Sequence, residues 1–205
     1  LGLPVIHHSI TAVTRHDAVV SVTVALASDD GIFDELVRPA FPGARTGTGG
    51  DSRAQTVMNG LHSILARDPQ AEWVMVHDAA RPCLSFTDLS RLLELGLHSP
   101  DGAILATPVS DTLKLAGEDE RIEATIDRSR YWAAQTPQLF RIRELAANLD
   151  AALSAGLKPT DDAAAMERAG KHPLLVQGSS TNIKITGSED LALAEFILQR
   201  QSVRE

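Results

Sequence analysis

Short apolar runs alternate with amphipathic stretches along most of the chain. Residues 19–27 form an apolar run rich in valine (Val19, Val20, Val22, Val24) and predict a buried strand. Residues 53–67 carry Val57, Leu61, Ile64 and Leu65 at helical spacing. Residues 73–77 predict a second buried strand. Residues 86–98, with Leu89, Leu92, Leu93 and Leu97, predict a second helix, and residues 102–108 a third strand. This β-α-β-α-β order implies an α/β fold, a parallel sheet with helices on both faces. Such sheets bind ligands beyond the carboxyl ends of their strands, so the residues just after each strand are the ones to search.

Residues 109 to about 132 break the pattern. Two short strand-like pieces, 112–115 and 122–126, flank the polar turn Gly117-Glu118-Asp119-Glu120. A hairpin there projects from a parallel sheet instead of extending it. The last third returns to helices (142–155, 161–169, 188 to about 201) and short strands (173–176, 183–186). With no internal repeat, linker or low-complexity stretch, the pattern reads as one domain over residues 1–205.

Composition narrows the function classes. The 205 residues are 43% hydrophobic and 22% charged, ordinary for a globular protein. The net charge of −8 argues against general nucleic-acid binding, which needs a basic face. The longest apolar run is far shorter than the roughly 20 residues that span a bilayer. No signal peptide is recognised. Cys83 is the only cysteine, which excludes an intrachain disulfide and a Cys-based zinc site. A reducing, cytoplasmic location fits best.

Several familiar motifs fail. Gly47-Thr48-Gly49-Gly50 has Ser52 where a dinucleotide fingerprint needs its third glycine, and Gly170-Lys171 has Ala165 where a P-loop needs its first. His7-His8 lacks i,i+4 spacing and neighbouring carboxylates, so a helix surface is the better reading than a metal site. Other segments keep two readings. In His77-Asp78-Ala79-Ala80-Arg81-Pro82, Asp78 and Arg81 are either an acceptor and a phosphate clamp at a strand end, or a helix cap and its ion-pair partner. Gly49-Gly50-Asp51 opens a helix, either as an anion or base-edge site or as a plain N-cap by Asp51. Asp111-Thr112-Leu113-Lys114 and Asp127-Arg128 lie on the hairpin, where charged residues are normally solvated. Lys184, between Ile183 and Ile185, faces away from both, towards solvent or a pocket.

Taken in order, these segments resemble the 2-C-methyl-D-erythritol 4-phosphate cytidylyltransferase family nearly end to end. The match runs from Gly49-Gly50-Asp51 through the 76–82 segment, Pro108 to Lys114 and Asp127-Arg128. It continues through Gln135-Thr136-Pro137-Gln138, Thr160-Asp161-Asp162-Ala163 and Asn182-Ile183-Lys184 to residues 189–195. The resemblance implies a Rossmann-like, mostly parallel sheet and a homodimer through a β-arm at about 109–132 that swaps into the partner. It also implies Mg²⁺-dependent transfer of CMP from CTP to methylerythritol phosphate, with release of diphosphate, in non-mevalonate isoprenoid synthesis. By motif position, Gly50, Asp51 and Thr56 hold the cytosine, Ala79 lies near the ribose and Lys184 reaches the CTP phosphates. Asp78, Arg81, Thr136 and Thr160 face the substrate. Thr112 and Arg128 come from the partner's arm to clamp the substrate phosphate. The metal ligands are not assigned.

The resemblance has departures. Thr56 stands where the family commonly has serine, and Ser52 replaces a usual acidic residue. The family opens with a strand and a glycine-rich loop bearing an arginine, then a lysine; Leu1 to Ile6 resembles the stretch just after that loop. Two other functions stay open. One is a cytidylyltransferase for another alditol phosphate such as ribitol phosphate. The other is a non-catalytic, dimeric nucleotide-binding protein without the loop.

Overall fold

A computed structural model describes residues 1–202. It begins with α1 (Val5–Thr14), β1 (Thr23–Leu26), α2 (Ile32–Leu36), β2 (Arg45–Thr48), α3 (Arg53–Arg67) and β3 (Trp73–Val76). Next come α4 (Phe86–Gly96), β4 (Ala103–Pro108), β5 (Leu113–Ala116), β6 (Ile122–Ile126), a 3-10 turn (Arg128–Arg130) and β7 (Trp132–Arg141). The last elements are α5 (Ile142–Ser154), α6 (Asp162–Arg168), β8 (Leu174–Gln177) and α7 (Ser188–Ser202). The first predicted strand is shorter than the valine run, because only its second half pairs, with β2 in parallel from Thr23↔Arg45 to Leu26↔Thr48.

The main sheet is mixed. Its order is β3-β7-β4-β8, and β7 runs antiparallel to both neighbours, with Val74 opposite Phe140 and Ile104 opposite Gln138. Only β4 and β8 are parallel in it. The apolar pattern conceals β7, because half of its length is small or polar and because Gln135, Thr136 and Gln138 are buried polar residues. Residues 183–186 form no strand. Their alternation arises from a loop whose Ile183 and Ile185 rest on Cys83, Ala194 and Ile197.

Helices cover both faces, as strand alternation requires. Ala103, Leu105 and Leu139 point into one layer with Leu84, Leu89 and Leu92. Ile104 and Phe140 point into the other, with Met58 and Leu61 of α3, Leu145 and Leu149 of α5 and Met166 of α6. Phe140 is fully buried, which stabilises the fold by roughly 1.5–3 kcal/mol. Gly102 needs to be glycine: it has φ +80, and a Cβ there would sit 2.4 Å from the Leu139 carbonyl oxygen.

Two features frame the site. Among the described residues β1 pairs only with β2 and β3 only with β7. A cleft of about 1150 Å³ lies between β1 and β3, floored by α1 and α3 residues and reaching Arg53, Thr56, Asp78 and Ala79. The β5–β6 hairpin stands apart as its own two-stranded sheet, from Leu113↔Ile126 to Ala116↔Ile122. The Val109 amide donates to the Tyr131 carbonyl at its base, and Leu115 and Ile122 on it are exposed.

Candidate active site

The segment after β2 forms the first wall. Ser52, not Asp51, caps α3, its side chain accepting from the Gln55 amide. Asp51 is therefore left exposed beside the helix start. The Gly49 amide donates to the Leu26 carbonyl at 2.6 Å, tying the loop to the end of β1. The Gly50 amide donates to the Thr56 hydroxyl at 3.0 Å, and that hydroxyl faces the Gly50 carbonyl at 3.3 Å. A Cβ on Gly50 would meet Gln55 Cγ at 2.4 Å, so the loop lies directly on the first turn of α3. Asn59, which the sequence reading passed over, steadies the same loop by donating to the Thr48 and Gly49 carbonyls.

The segment after β3 is the second wall. Asp78 does not cap the following helix, because α4 begins at Phe86 under a Ser85 cap. Its carboxylate sits instead among three cations. Lys184 Nζ is 2.9 Å from Oδ2, Arg81 Nε is 3.8 Å from Oδ2 and Arg53 Nε is 3.7 Å from Oδ1. Burial pushes this carboxyl up, but the hydrogen bond from Lys184 and the three positive charges outweigh it and hold it below the usual range. Arg81 is also fixed by a 2.7 Å bond from Nη1 to the Asn182 carbonyl. Ala79 is exposed, and its carbonyl accepts from the Ser9 hydroxyl of α1 at 2.6 Å.

A hydrogen-bond chain supports Asp78 from below. His77 Nε2 is 3.0 Å from the Arg81 carbonyl, which can only accept, so Nε2 carries the proton. Nδ1 then accepts from the Thr136 hydroxyl at 3.1 Å, and Thr136 Oγ1 accepts from the Asp78 amide at 3.0 Å. Burial holds the His77 pKa down to about 4, which keeps the ring neutral. Thr136 is buried, and its one donor proton points to His77. It holds the backbone of Asp78 in place.

Lys184 is presented by an irregular loop. Asn182 is fully buried, and its amide donates to the Thr136 carbonyl at 2.9 Å. The Ile185 amide donates to the Ala80 carbonyl at 2.8 Å. With Ile183 and Ile185 packed inward, the Lys184 ammonium is left half-exposed beside Asp78. Thr160 is exposed next to Asp161, which caps α6 by accepting from the Ala164 amide. Gln138 braces this turn, donating to Asp161 Oδ2 and accepting from the Ala163 amide.

The structure thus gathers Gly50 with Thr56, and Asp78, Arg81, Thr136 and Lys184 around one strand end. Thr112 and Arg128 are elsewhere: both are exposed on the arm, and Arg128 donates to the Ser110 carbonyl. Among the described residues no three His, Cys, Asp or Glu side chains form a metal cluster. The carboxylate that this cluster could offer a divalent cation borne on ligand phosphates is Asp78, already paired with Lys184, Arg81 and Arg53.

An α/β sheet with cations and a glycine loop at its strand ends is the layout of a nucleotide-handling enzyme. The comparisons define it further. A family model described as "IspD: 2-C-methyl-D-erythritol 4-phosphate cytidylyltransferase" matches residues 1–200. A protein of that name from Tolumonas auensis is 45% identical over 199 residues, covering 97% of this chain and 86% of the relative. One from Yersinia pestis is 48% identical over 204 residues, covering 98% and 83%. The crystal structure of a 4-diphosphocytidyl-2C-methyl-D-erythritol synthase superposes with a TM-score of 0.86 at 41% identity, covering 95% of this chain and 89% of that one. The Francisella tularensis 2-C-methyl-D-erythritol 4-phosphate cytidylyltransferase superposes with a TM-score of 0.83 at 31% identity, covering 96% and 88%. The chain belongs to the 2-C-methyl-D-erythritol 4-phosphate cytidylyltransferase family, whose members are nucleotidyltransferases.

Proposed function

We propose that this protein transfers CMP from CTP to 2-C-methyl-D-erythritol 4-phosphate and releases diphosphate. The acceptor's phosphate-monoester oxygen attacks the α-phosphorus in line. The new O–P bond forms as the bond to the diphosphate oxygen breaks. The obstacle is the meeting of two polyanions, so positioning and positive charge supply most of the acceleration. The attacking monoester is already largely ionised near neutral pH, so the reaction needs no general base. That suits a site whose one inward histidine, His77, is neutral and has both nitrogens occupied.

The observation that carries this reading is the Lys184–Asp78–Arg81 cluster at the end of β3, in a chain matched by the family over residues 1–200. Gly50, Asp51 and Thr56 form the seat for cytosine, and Ala79 leaves room for the ribose. Lys184 meets the triphosphate. Asp78, Arg81 and Thr160 face the acceptor, and Thr136 sets the position of Asp78. Thr112 and Arg128 reach the acceptor phosphate of the partner's site across a homodimer joined by the arms. A divalent cation, Mg²⁺ in this reading, neutralises triphosphate charge, with Asp78 as the protein group that would touch it. The reaction belongs to isoprenoid biosynthesis in the cytoplasm. Among the described residues no helix is long and apolar enough to cross a membrane.

The test is a steady-state assay of diphosphate release on the full-length protein. It would use CTP, Mg²⁺ and either methylerythritol phosphate or ribitol phosphate. The expected kcat/KM favours methylerythritol phosphate. A preference for ribitol phosphate would reassign the acceptor, and no transfer to either would overturn the reading.

A further inference from the structure

One cation that joins two carboxylates of the site, Arg53, is not among the residues that the motif order assigns. Arg53 stands in the first turn of α3, immediately behind the Gly49–Asp51 loop. Its guanidinium grips Asp162 with both forks, Nη1 to Oδ1 at 3.2 Å and Nη2 to Oδ2 at 2.8 Å. The Asp162 side chain has no solvent exposure, so its carboxylate is a fixed anchor, and an unpaired charge there would be costly. The remaining edge of Arg53, Nε, turns to Asp78 at 3.7 Å. One planar cation therefore joins three segments far apart in sequence: the base loop, the strand-end loop and the Thr160–Asp162 turn.

A merely structural ion pair requires only Arg53 and Asp162. The third contact holds the carboxylate that also grips Lys184. A lysine at position 53 could keep the charge opposite Asp162, but it has neither a fork nor an Nε edge with which to hold both carboxylates at once.

We propose that Arg53 is a positioning residue for the transfer reaction, fixed by buried Asp162 and setting the place of Asp78, and through it of Lys184, relative to the base loop. The inference rests on the transfer activity proposed above. Arg53 is held on two carboxylates and acts through Asp78, so its loss should appear in turnover more than in nucleotide binding.

The experiment compares full-length wild type, Arg53→Lys, Asp162→Asn and the double variant, with folding followed by circular dichroism and thermal melting. Arg53→Lys should lower kcat at least tenfold and move the KM for CTP less than threefold, with a melting curve that leaves the protein folded at the assay temperature. The double variant should be no worse than the poorer single one, because both changes break one unit. If Arg53→Lys fails to fold, Asp162→Asn carries the test with the same expected split. Turnover within threefold of wild type in the folded variant would overturn the proposal. Fully additive losses in the double variant would overturn it as well. An inactive wild type would instead remove the functional reading itself.

Discussion

Lys184 Nζ lies 2.9 Å from Asp78 Oδ2, so the cation expected to meet the triphosphate already holds a carboxylate. The lysine is about half exposed and the aspartate mostly covered. The ammonium is thus kept near the strand end by a partner that arrives from a different loop. Its own loop is fixed independently, by the Ile185 amide and by the packing of Ile183 and Ile185.

Because the loop has its own supports, Lys184→Ala should leave the fold intact. Asp78 would keep Arg53 and Arg81 as counter-charges. Turnover should fall by about 100-fold or more, the scale seen when a preorganised donor to developing charge is removed. Steady-state kinetics beside a thermal melt checks this, and near-normal turnover would remove Lys184 from the site.

Cytosine should be preferred to uracil. The exocyclic amine of cytosine donates, whereas uracil presents an acceptor in its place. Asp51 is exposed beside Gly50, whose fit on Gln55 leaves the loop no freedom to retreat. The expected kcat/KM for CTP exceeds that for UTP by about 100-fold or more, and Asp51→Ala should narrow the ratio. Equal use of both nucleotides would show that this loop does not read the base.

The arm supplies a complementation test. An isolated two-stranded hairpin is marginal in water, and this one exposes Leu115 and Ile122. A two-fold dimer would cover it and carry Thr112 and Arg128 to the other subunit. Arg128→Ala and Lys184→Ala subunits, each inactive alone, should regain partial activity when mixed. One site of a mixed dimer then carries both defects and the other carries neither. Mixed dimers without recovered activity would place both residues in the same subunit's site.

Cys83 should resist alkylation while the protein is folded. It is fully buried, and burial pushes its thiol up to about 11, so the reactive thiolate is scarce below that pH. Labelling with iodoacetamide at pH 8.5 should be slow in buffer and fast in denaturant. Rapid native labelling would show that the Cys83, Ala194 and Ile197 cluster opens readily.

Much of the fold is legible from apolar spacing. The pattern for residues 53–67 is α3 to the residue, and the breaks at 109 and 132 fall beside the ends of β4 and β7. What escapes is the element that reverses the sheet. The inward positions of β7 include Gln135, Thr136 and Gln138, whose polarity is satisfied by Asn182, His77 and Asp161 from distant segments. No local pattern can show those partners. The same holds in the site. Asp78, Arg81 and Lys184 follow from motif order, whereas Arg53 looks like an ordinary solvated charge and Asp162, though inside a matched segment, has no visible partner until folding brings positions 53 and 162 together. The Ile-Lys-Ile alternation at 183–185 misleads in the opposite direction, because packing on α7 produces the same spacing as a β-ladder.

The neutral His77 gives the scaffold a constancy that matters in a cell whose acidity drifts. Its ring binds no proton until about pH 4, so the chain of bonds from Arg81 through Thr136 to the Asp78 amide is the same at every physiological pH. His77 is therefore no proton switch near neutral pH. An acid-side decline in rate near neutrality is then expected from the substrates, since the acceptor's phosphate takes up its second proton near pH 6 and becomes a weaker nucleophile. The protein supplies a rigid electrostatic frame, and the substrate's own ionisation tunes the rate.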